Sequence, residues 1–120
     1  MILVDTSVWV DHLRRGDERL ADLLNRSQVL IHPFVTGELA CGNLRQRDEV
    51  LRLLSDLPQA VVATQEEVLH LIESKKLMGL GIGFIDAHLL ASTALSDSAA
   101  IWTRDKRLLE VARKLALAHD

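Results

Sequence analysis

The chain has 120 residues, enough for one domain over residues 1–120, and its 48% hydrophobic and 26% charged residues are typical of a globular protein. A net charge of −3 excludes binding of nucleic acid by a basic surface alone, and two Trp, two Phe and no Tyr argue against an aromatic platform for single strands. One cysteine cannot form an internal disulfide, which fits a reduced, cytoplasmic compartment, and the apolar stretches are too short for a signal peptide or a membrane span.

The apolar runs of the chain predict a parallel sheet. Short runs without polar interruptions are typical of strands that are buried on both faces. Such runs occur at 1–4, 29–31, 60–63 and 99–102. We therefore expect a sheet built from these segments.

Amphipathic segments separate the runs and predict helices. The expected ranges are 8–14, 18–25, 33–41, 47–57, a segment that starts after Thr64, 84–95 and 106–117. Thr64 and Glu67 have the spacing of a capping box, which marks the start of the fifth helix. Strands that alternate with helices indicate an α/β domain with a mostly parallel central sheet covered on both faces.

The first strand ends in an acid. Asp5 follows the apolar run directly, at the carboxyl end of the strand, where open α/β sheets bind their ligands. Ser7 is predicted to cap the helix that follows and thereby to fix the direction of Asp5.

The second predicted helix is rich in leucine. Leu20, Leu23 and Leu24 have helical spacing and are expected beside Trp9 and Leu13 of the first helix. These residues either complete the core or leave an apolar groove for a partner helix.

Four acids lie in apolar surroundings, whereas most other acids of the chain lie in polar runs. Asp5 and Asp105 each follow an apolar strand, Glu38 lies in a mostly apolar helix, and Asp86 starts the least polar helix. A buried carboxylate needs a cationic partner or a metal ion, and few lysines are placed to pair with these four. Ligands that are all oxygen favour Mg²⁺ or Mn²⁺ over zinc. Taken singly, Asp86 and Asp105 also fit the role of helix caps, so both interpretations stay open.

Four motifs follow one another along the whole chain: Met-Ile-Leu-Val-Asp-Thr-Ser-Val-Trp-Val, Thr-Gly-Glu-Leu, Phe-Ile-Asp-Ala-His-Leu-Leu-Ala-Ser and Trp-Thr-Arg-Asp-Lys-Arg-Leu. In this order and spacing they resemble the PIN-domain ribonucleases, above all the VapC-type toxins of bacterial type II toxin–antitoxin systems. The resemblance implies a PIN-like domain with four or five short strands, in which 115–118 is the segment left for a fifth. By position it implies catalytic and metal-binding roles for Asp5, Glu38, Asp86 and Asp105, with Thr6 and Thr103 in support.

The resemblance also implies a function. It indicates a Mg²⁺- or Mn²⁺-dependent endoribonuclease toxin that inhibits translation by cutting RNA and is neutralised by a cognate antitoxin. Members of the family commonly form homodimers, which implies heterotetramers or larger assemblies with the antitoxin. Many members carry a further acid where this chain has Arg107. RNA contacts are expected from basic residues that follow the strand-end motifs, namely Arg14, Arg15, Arg104, Lys106 and Arg107.

Two other functions fit parts of the pattern. A phosphotransfer domain would have an acceptor aspartate after its first strand, as Asp5 is, but Ser7 stands where a phosphatase of that kind needs its second acid. A catalytically silent PIN-like module that binds RNA or a protein is the main alternative. The presence of all four acids favours the enzyme.

Overall fold

Three short strands and seven helices alternate along the chain, and the computed structural model describes all residues from 1 to 120. In chain order the elements are β1 (Ile2–Val4), α1 (Thr6–Arg15), α2 (Glu18–Asn25), β2 (Val29–Leu30), α3 (Pro33–Ala40), α4 (Arg47–Ser55), α5 (Gln65–Lys75), α6 (Phe84–Leu95), β3 (Ala100–Trp102) and α7 (Lys106–Lys114). This order confirms the predicted α/β class with a parallel sheet flanked by helices.

Strand β1 lies at the centre of the sheet, whose order is β2-β1-β3, and both neighbours pair with it in parallel. Leu3 lies opposite Leu30 on one side and Ile101 on the other, and neither Leu3 nor Ile101 has exposed surface. Burying one such side chain contributes about 1.5–3 kcal/mol, which explains why the strands contain no polar residue. The N–H of Asp5 donates to the carbonyl of Trp102 at 2.9 Å and extends the ladder. The carboxyl ends of the strands therefore meet at one edge of the sheet, next to Asp5.

Of the two outermost segments predicted as strands, 115–118 is reduced to a single bridge, and 60–63 forms none because the bridge on that side lies one residue earlier, at Gln59. Ile31 bridges Gln59 beside β2, and Ile101 bridges Ala118 beside β3. The sheet therefore has three strands rather than the four or five expected, although five segments of the chain run side by side in it.

Serine hydroxyls of α6 explain why residues 60–63 form no strand. The N–H of Val61 donates to Ser96 Oγ at 3.0 Å, and the N–H of Ala63 donates to Ser92 Oγ at 3.3 Å. These bonds satisfy backbone donors that a neighbouring strand would otherwise pair. The run of alanine and valine correctly indicated a segment of apolar residues. It could not show that serine side chains, rather than a neighbouring strand, accept the hydrogen bonds of its backbone.

The helix boundaries follow the prediction closely. Helices α2 and α6 begin and end at the predicted residues, and Thr64 and Glu67 form the expected capping box at the start of α5, with bonds of 2.9 and 3.1 Å. Helix α7 ends at Lys114, three residues before the expected end, because the chain turns there to form the bridge beside β3. None of the helices has the length and apolar character needed to cross a lipid bilayer.

The leucine-rich helix α2 completes the core. Trp9, Leu20 and Leu23 are at most 8% exposed and belong to the same cluster of buried residues as the sheet. For these three residues the core interpretation is therefore correct. Leu24 is partly buried against the same cluster, whereas Leu13 is 36% exposed, so the groove interpretation stays a prediction for Leu13.

Candidate active site

Asp5 lies at the carboxyl end of β1, and hydroxyl groups hold its carboxylate from two sides. Ser7 and Thr103 each donate a hydrogen bond to Asp5 Oδ2 at 2.8 Å. The residue is only 7% exposed. Two donors on one oxygen restrict the rotamer of the carboxylate and leave Oδ1 free of protein donors.

The prediction that Ser7 caps α1 is wrong. Asp5 occupies the N-cap position, and its side chain makes no cap bond. Because α1 starts two residues earlier than predicted, Ser7 lies in its first turn, where it accepts a hydrogen bond from the N–H of Arg104 at 3.0 Å while donating to Asp5. Ser7 is thus a site residue that sequence reasoning missed. The available signal was its spacing, since Ser7 and Thr103 each lie two positions from a strand-end acid.

Asp86 and Asp105 lie at the starts of α6 and α7, where each accepts one backbone hydrogen bond. Asp105 caps α7, because its Oδ1 accepts from the N–H of Leu108 at 3.0 Å. In the first turn of α6, Asp86 Oδ2 accepts from the N–H of Gly83 at 3.3 Å. These bonds occupy one oxygen of each carboxylate, so a structural role at the helix end does not exclude a chemical one.

Glu38 extends from α3, and Thr6 joins it to the end of the first strand. Thr6 Oγ1 donates to Glu38 Oε1 at 2.7 Å. Helices α1 and α3 pack against each other, which makes this contact between distant parts of the chain possible. The two threonines therefore hold different acids, since Thr6 contacts Glu38 and Thr103 contacts Asp5.

Three of the four acids act electrostatically on the fourth, Asp86. Burial raises the pKa of Asp86 above its ordinary value, the N–H of Gly83 opposes this rise, and the charges of Asp5, Asp105 and Glu38 add to it. All three neighbours therefore lie within range of the Asp86 carboxylate. None of the four acids takes part in a salt bridge.

The donor set fits a hard divalent cation. Each carboxylate uses one oxygen for a hydrogen bond within the protein and keeps the other free of protein donors. Oxygen ligands with excess negative charge are those that Mg²⁺ and Mn²⁺ prefer. No group of three His, Cys, Asp or Glu side chains is close enough, as the side chains stand, to hold an ion. Mutual repulsion of four like charges favours such a separation, and a cation would offset it.

The end of the sheet where Asp5, Glu38, Asp86 and Asp105 lie is called the acidic edge. Two of the basic residues expected to contact RNA lie beside it. Lys106 and Arg107 occupy the first turn of α7, next to Asp105. The Arg107 side chain lies over Gly81, where an added Cβ would be 2.6 Å from its Cδ. With a φ of 81°, Gly81 also has a backbone conformation that favours glycine. The loop before α6 is thus shaped to let Arg107 lie across it.

The other basic residues lie in different settings. Arg14 and Arg15 lie in the last turn of α1, about 12–14 Å along the helix from its start at the acidic edge. The guanidinium of Arg104 forms ion pairs with Asp11 and Asp17. The Arg104 guanidinium is therefore engaged by two carboxylates of the protein, and its contact with RNA stays a prediction.

Most of the chain is similar to known proteins. The profile of the PIN domain matches residues 2–114, a range that includes all four acids. Ribonuclease VapC32 of Mycobacterium tuberculosis, in the strains CDC 1551 / Oshkosh and ATCC 25618 / H37Rv, is 54% identical to the chain over 108 residues, which are 90% of this chain and 87% of the relative. The chain therefore belongs to the PIN domain family, as a member of the VapC type.

Proposed function

We propose that the chain is a Mg²⁺- or Mn²⁺-dependent endoribonuclease toxin that hydrolyses phosphodiester bonds of RNA and thereby inhibits translation. One observation carries the proposal: four carboxylates at one edge of the sheet form no salt bridge, and each keeps an oxygen free of protein donors. The relative at 54% identity carries the name of a ribonuclease. A silent binding module has no chemical use for four uncompensated acids, which favours the enzyme.

The four acids would have different parts in metal binding. Asp5, Asp86 and Asp105 would hold one or two divalent ions, and Glu38 would either join them or orient a water molecule beside them. A bound ion would supply an acidified water molecule and would offset the negative charge that develops on the attacked phosphate.

Hydroxyl and basic residues complete the proposed mechanism. Ser7 and Thr103 keep Asp5 in one rotamer, so that the carboxylate needs no rearrangement to act as a ligand. Lys106 and Arg107 provide positive charge for the phosphates nearest the acids, and the two arginines at the end of α1 contact phosphates farther along the strand. With so few groups to read bases, recognition relies on the shape of RNA loops.

The test compares two site variants with a surface control. Asp5→Ala and Asp86→Ala should each lower the rate of RNA cleavage by about 10³-fold or more, since a bound ion supplies several kcal/mol of transition-state stabilisation. EDTA should abolish cleavage by the wild type. Asp22→Ala removes an exposed carboxylate that pairs with Arg26 at 2.9 Å, and it should cleave RNA at the wild-type rate. Circular dichroism checks that each variant is folded.

Two results would contradict this proposal. Full cleavage by either site variant would remove that acid from the mechanism. Cleavage that EDTA leaves unchanged would exclude a divalent ion.

The proposed partners are a second copy of the chain, with which it forms a homodimer, and a cognate antitoxin. With the antitoxin the dimer forms a heterotetramer or a larger assembly. The proposed location is the cytoplasm. Membership of the VapC type supports both partners. Because Trp9, Leu20 and Leu23 are buried, the antitoxin does not use them as a groove. Co-expression with the product of the adjacent gene should yield a complex that lacks ribonuclease activity, and light scattering should give its stoichiometry. An equimolar mixture that still cleaves RNA would contradict neutralisation.

A further inference from the structure

The Arg104 side chain joins three elements at the rim of the acidic edge. Its guanidinium forms ion pairs with Asp11 of α1 and with Asp17, the N-cap residue of α2. Its Cζ lies 5.8 Å from the ring centroid of Trp102 in β3, within the range of a cation–π contact. One side chain thus connects the end of β3 to the helices beside it.

The backbone around Arg104 faces the acids. Its N–H donates to Ser7 Oγ at 3.0 Å, and Ser7 donates to Asp5 Oδ2 at 2.8 Å. Thr103 donates to the same oxygen of Asp5 and accepts from the N–H of Asp105 at 3.1 Å. The residues on either side of Arg104, Thr103 and Asp105, therefore belong to the site, and the Arg104 side chain fixes the position of residues 103–105.

The contacts of Arg104 leave little charge for an RNA phosphate. Two carboxylates share one guanidinium, and the side chains of Asp11 and Asp17 are 26% and 16% exposed. A planar guanidinium can bridge two carboxylates in a fixed geometry, which a lysine ammonium cannot do. Because ion pairs at the surface contribute little to stability, the main consequence of this cluster is geometric.

We infer that Arg104 is a positioning residue for the divalent-ion site, which sets the placement of Asp5 and Asp105 by tying residues 103–105 to α1 and α2. The inference rests on the proposed function, because the property that Arg104 sets is the affinity of these carboxylates for the ion. Replacing groups that orient metal ligands typically lowers metal affinity or activity by about 10–100-fold.

The experiment measures Mn²⁺ affinity by calorimetry without RNA, alongside cleavage kinetics. Arg104→Gln should bind Mn²⁺ about 10–100-fold more weakly and lose kcat to a similar extent, with KM and its salt dependence nearly unchanged. Arg104→Lys keeps the charge but cannot bridge both carboxylates, so its loss should be intermediate. Arg113→Gln breaks an ion pair with Asp120 at the other end of α7, and as the matched control it should keep wild-type affinity.

The outcomes separate positioning from RNA binding. Unchanged Mn²⁺ affinity in folded Arg104→Gln overturns the inference. So does a raised KM with a salt dependence that is weaker by about 0.7–1 in slope, because this marks a lost phosphate contact. If Arg104→Gln does not fold, Asp11→Asn removes one arm of the bridge and should show a smaller loss of Mn²⁺ affinity. A wild-type protein that binds no Mn²⁺ contradicts the proposed function itself, and the inference with it.

Discussion

Two groups of carboxylates lie near each other in this fold and have opposite surroundings. Asp11 and Asp17 share the guanidinium of Arg104, and the N–H of Leu20 together with Arg104 holds the pKa of Asp17 below its ordinary value. The acids of the sheet edge share no cation, and burial together with neighbouring charges raises the pKa of Asp86. The first arrangement compensates the charge of its acids, whereas the second leaves the charge of its acids uncompensated. Unpaired acids in a chain with 14 Lys and Arg residues therefore indicate a function rather than a packing need.

After the losses expected for Asp5→Ala and Asp86→Ala, the next largest effect should come from variants that separate the charge of Asp105 from its role as a helix cap. Asp105→Asn keeps an oxygen for the N–H of Leu108 but removes the charge, so cleavage should fall by about 10²–10³-fold while the free energy of unfolding stays within about 0.5 kcal/mol. Asp105→Ala should lose a further ~1 kcal/mol of stability with the cap. Single-turnover cleavage and urea unfolding measure the two effects. Near-wild-type cleavage by Asp105→Asn would assign this acid to the fold alone.

Adding a divalent ion should offset the loss in free energy of unfolding that the unpaired acids cause. At 100 times its Kd, Mn²⁺ should stabilise the wild type by about 2.7 kcal/mol, because it binds the folded state. Asp5→Asn should lose most of this gain, whereas the surface control Asp22→Asn should keep it. Thermal unfolding with and without Mn²⁺ provides the measurement. Equal stabilisation of all three proteins would show that the ion binds elsewhere.

A smaller effect should follow from removing one hydroxyl that holds Asp5. Thr103→Val keeps the shape of the side chain but loses its donor, and cleavage should fall about tenfold because the Asp5 carboxylate gains rotamer freedom. Thr103→Ser retains the hydroxyl and should recover most of the rate. If both variants cleave equally well, the bond between Thr103 and Asp5 does not serve the chemistry.

The smallest effect is a gain in stability at Asp86. Asp86→Asn relieves repulsion and burial of charge, so at pH 7 its free energy of unfolding should exceed that of the wild type by about 0.5–1 kcal/mol. Because the folded pKa of Asp86 is raised, the wild-type penalty exists while the carboxylate is ionised and disappears as the pH falls through that pKa. The contribution of Asp17 has the opposite sign, since it is present above the ordinary pKa and is lost as the pH falls through the lowered one. Urea unfolding of the wild type and Asp86→Asn at pH 7 and pH 4 checks the sign for Asp86, and a less stable Asp86→Asn at pH 7 would contradict it.

Sequence reasoning succeeded where a feature is local. The apolar run of β1 needs no knowledge of its neighbours, because a strand buried on both faces accepts only apolar side chains. The capping box of Thr64 and Glu67 is a bond between residues three apart, so its pattern is visible in the chain. Acids in apolar surroundings, such as Asp5, are equally visible, since burying a charge is costly.

What sequence reasoning missed depends on contacts between distant residues. Ser7 meets the N–H of Arg104 across 97 positions, and no local pattern distinguishes this bond from a helix cap. The same holds for the hydroxyl of Ser92, which accepts a hydrogen bond from the N–H of Ala63. Composition alone had assigned residues 60–63 to a strand. Arg104 resembles any basic residue after a strand until its aspartate partners are known.

The single bridges at Gln59 and Ala118 have a consequence for how this protein meets other chains. Adding a foreign strand to a sheet requires a row of unpaired N–H and C=O groups along an edge. Here each edge is already covered by a segment that pairs once and then turns away, so neither edge offers such a row. This arrangement disfavours self-association by edge-to-edge pairing, so we expect a protein partner to bind to the surfaces of the helices.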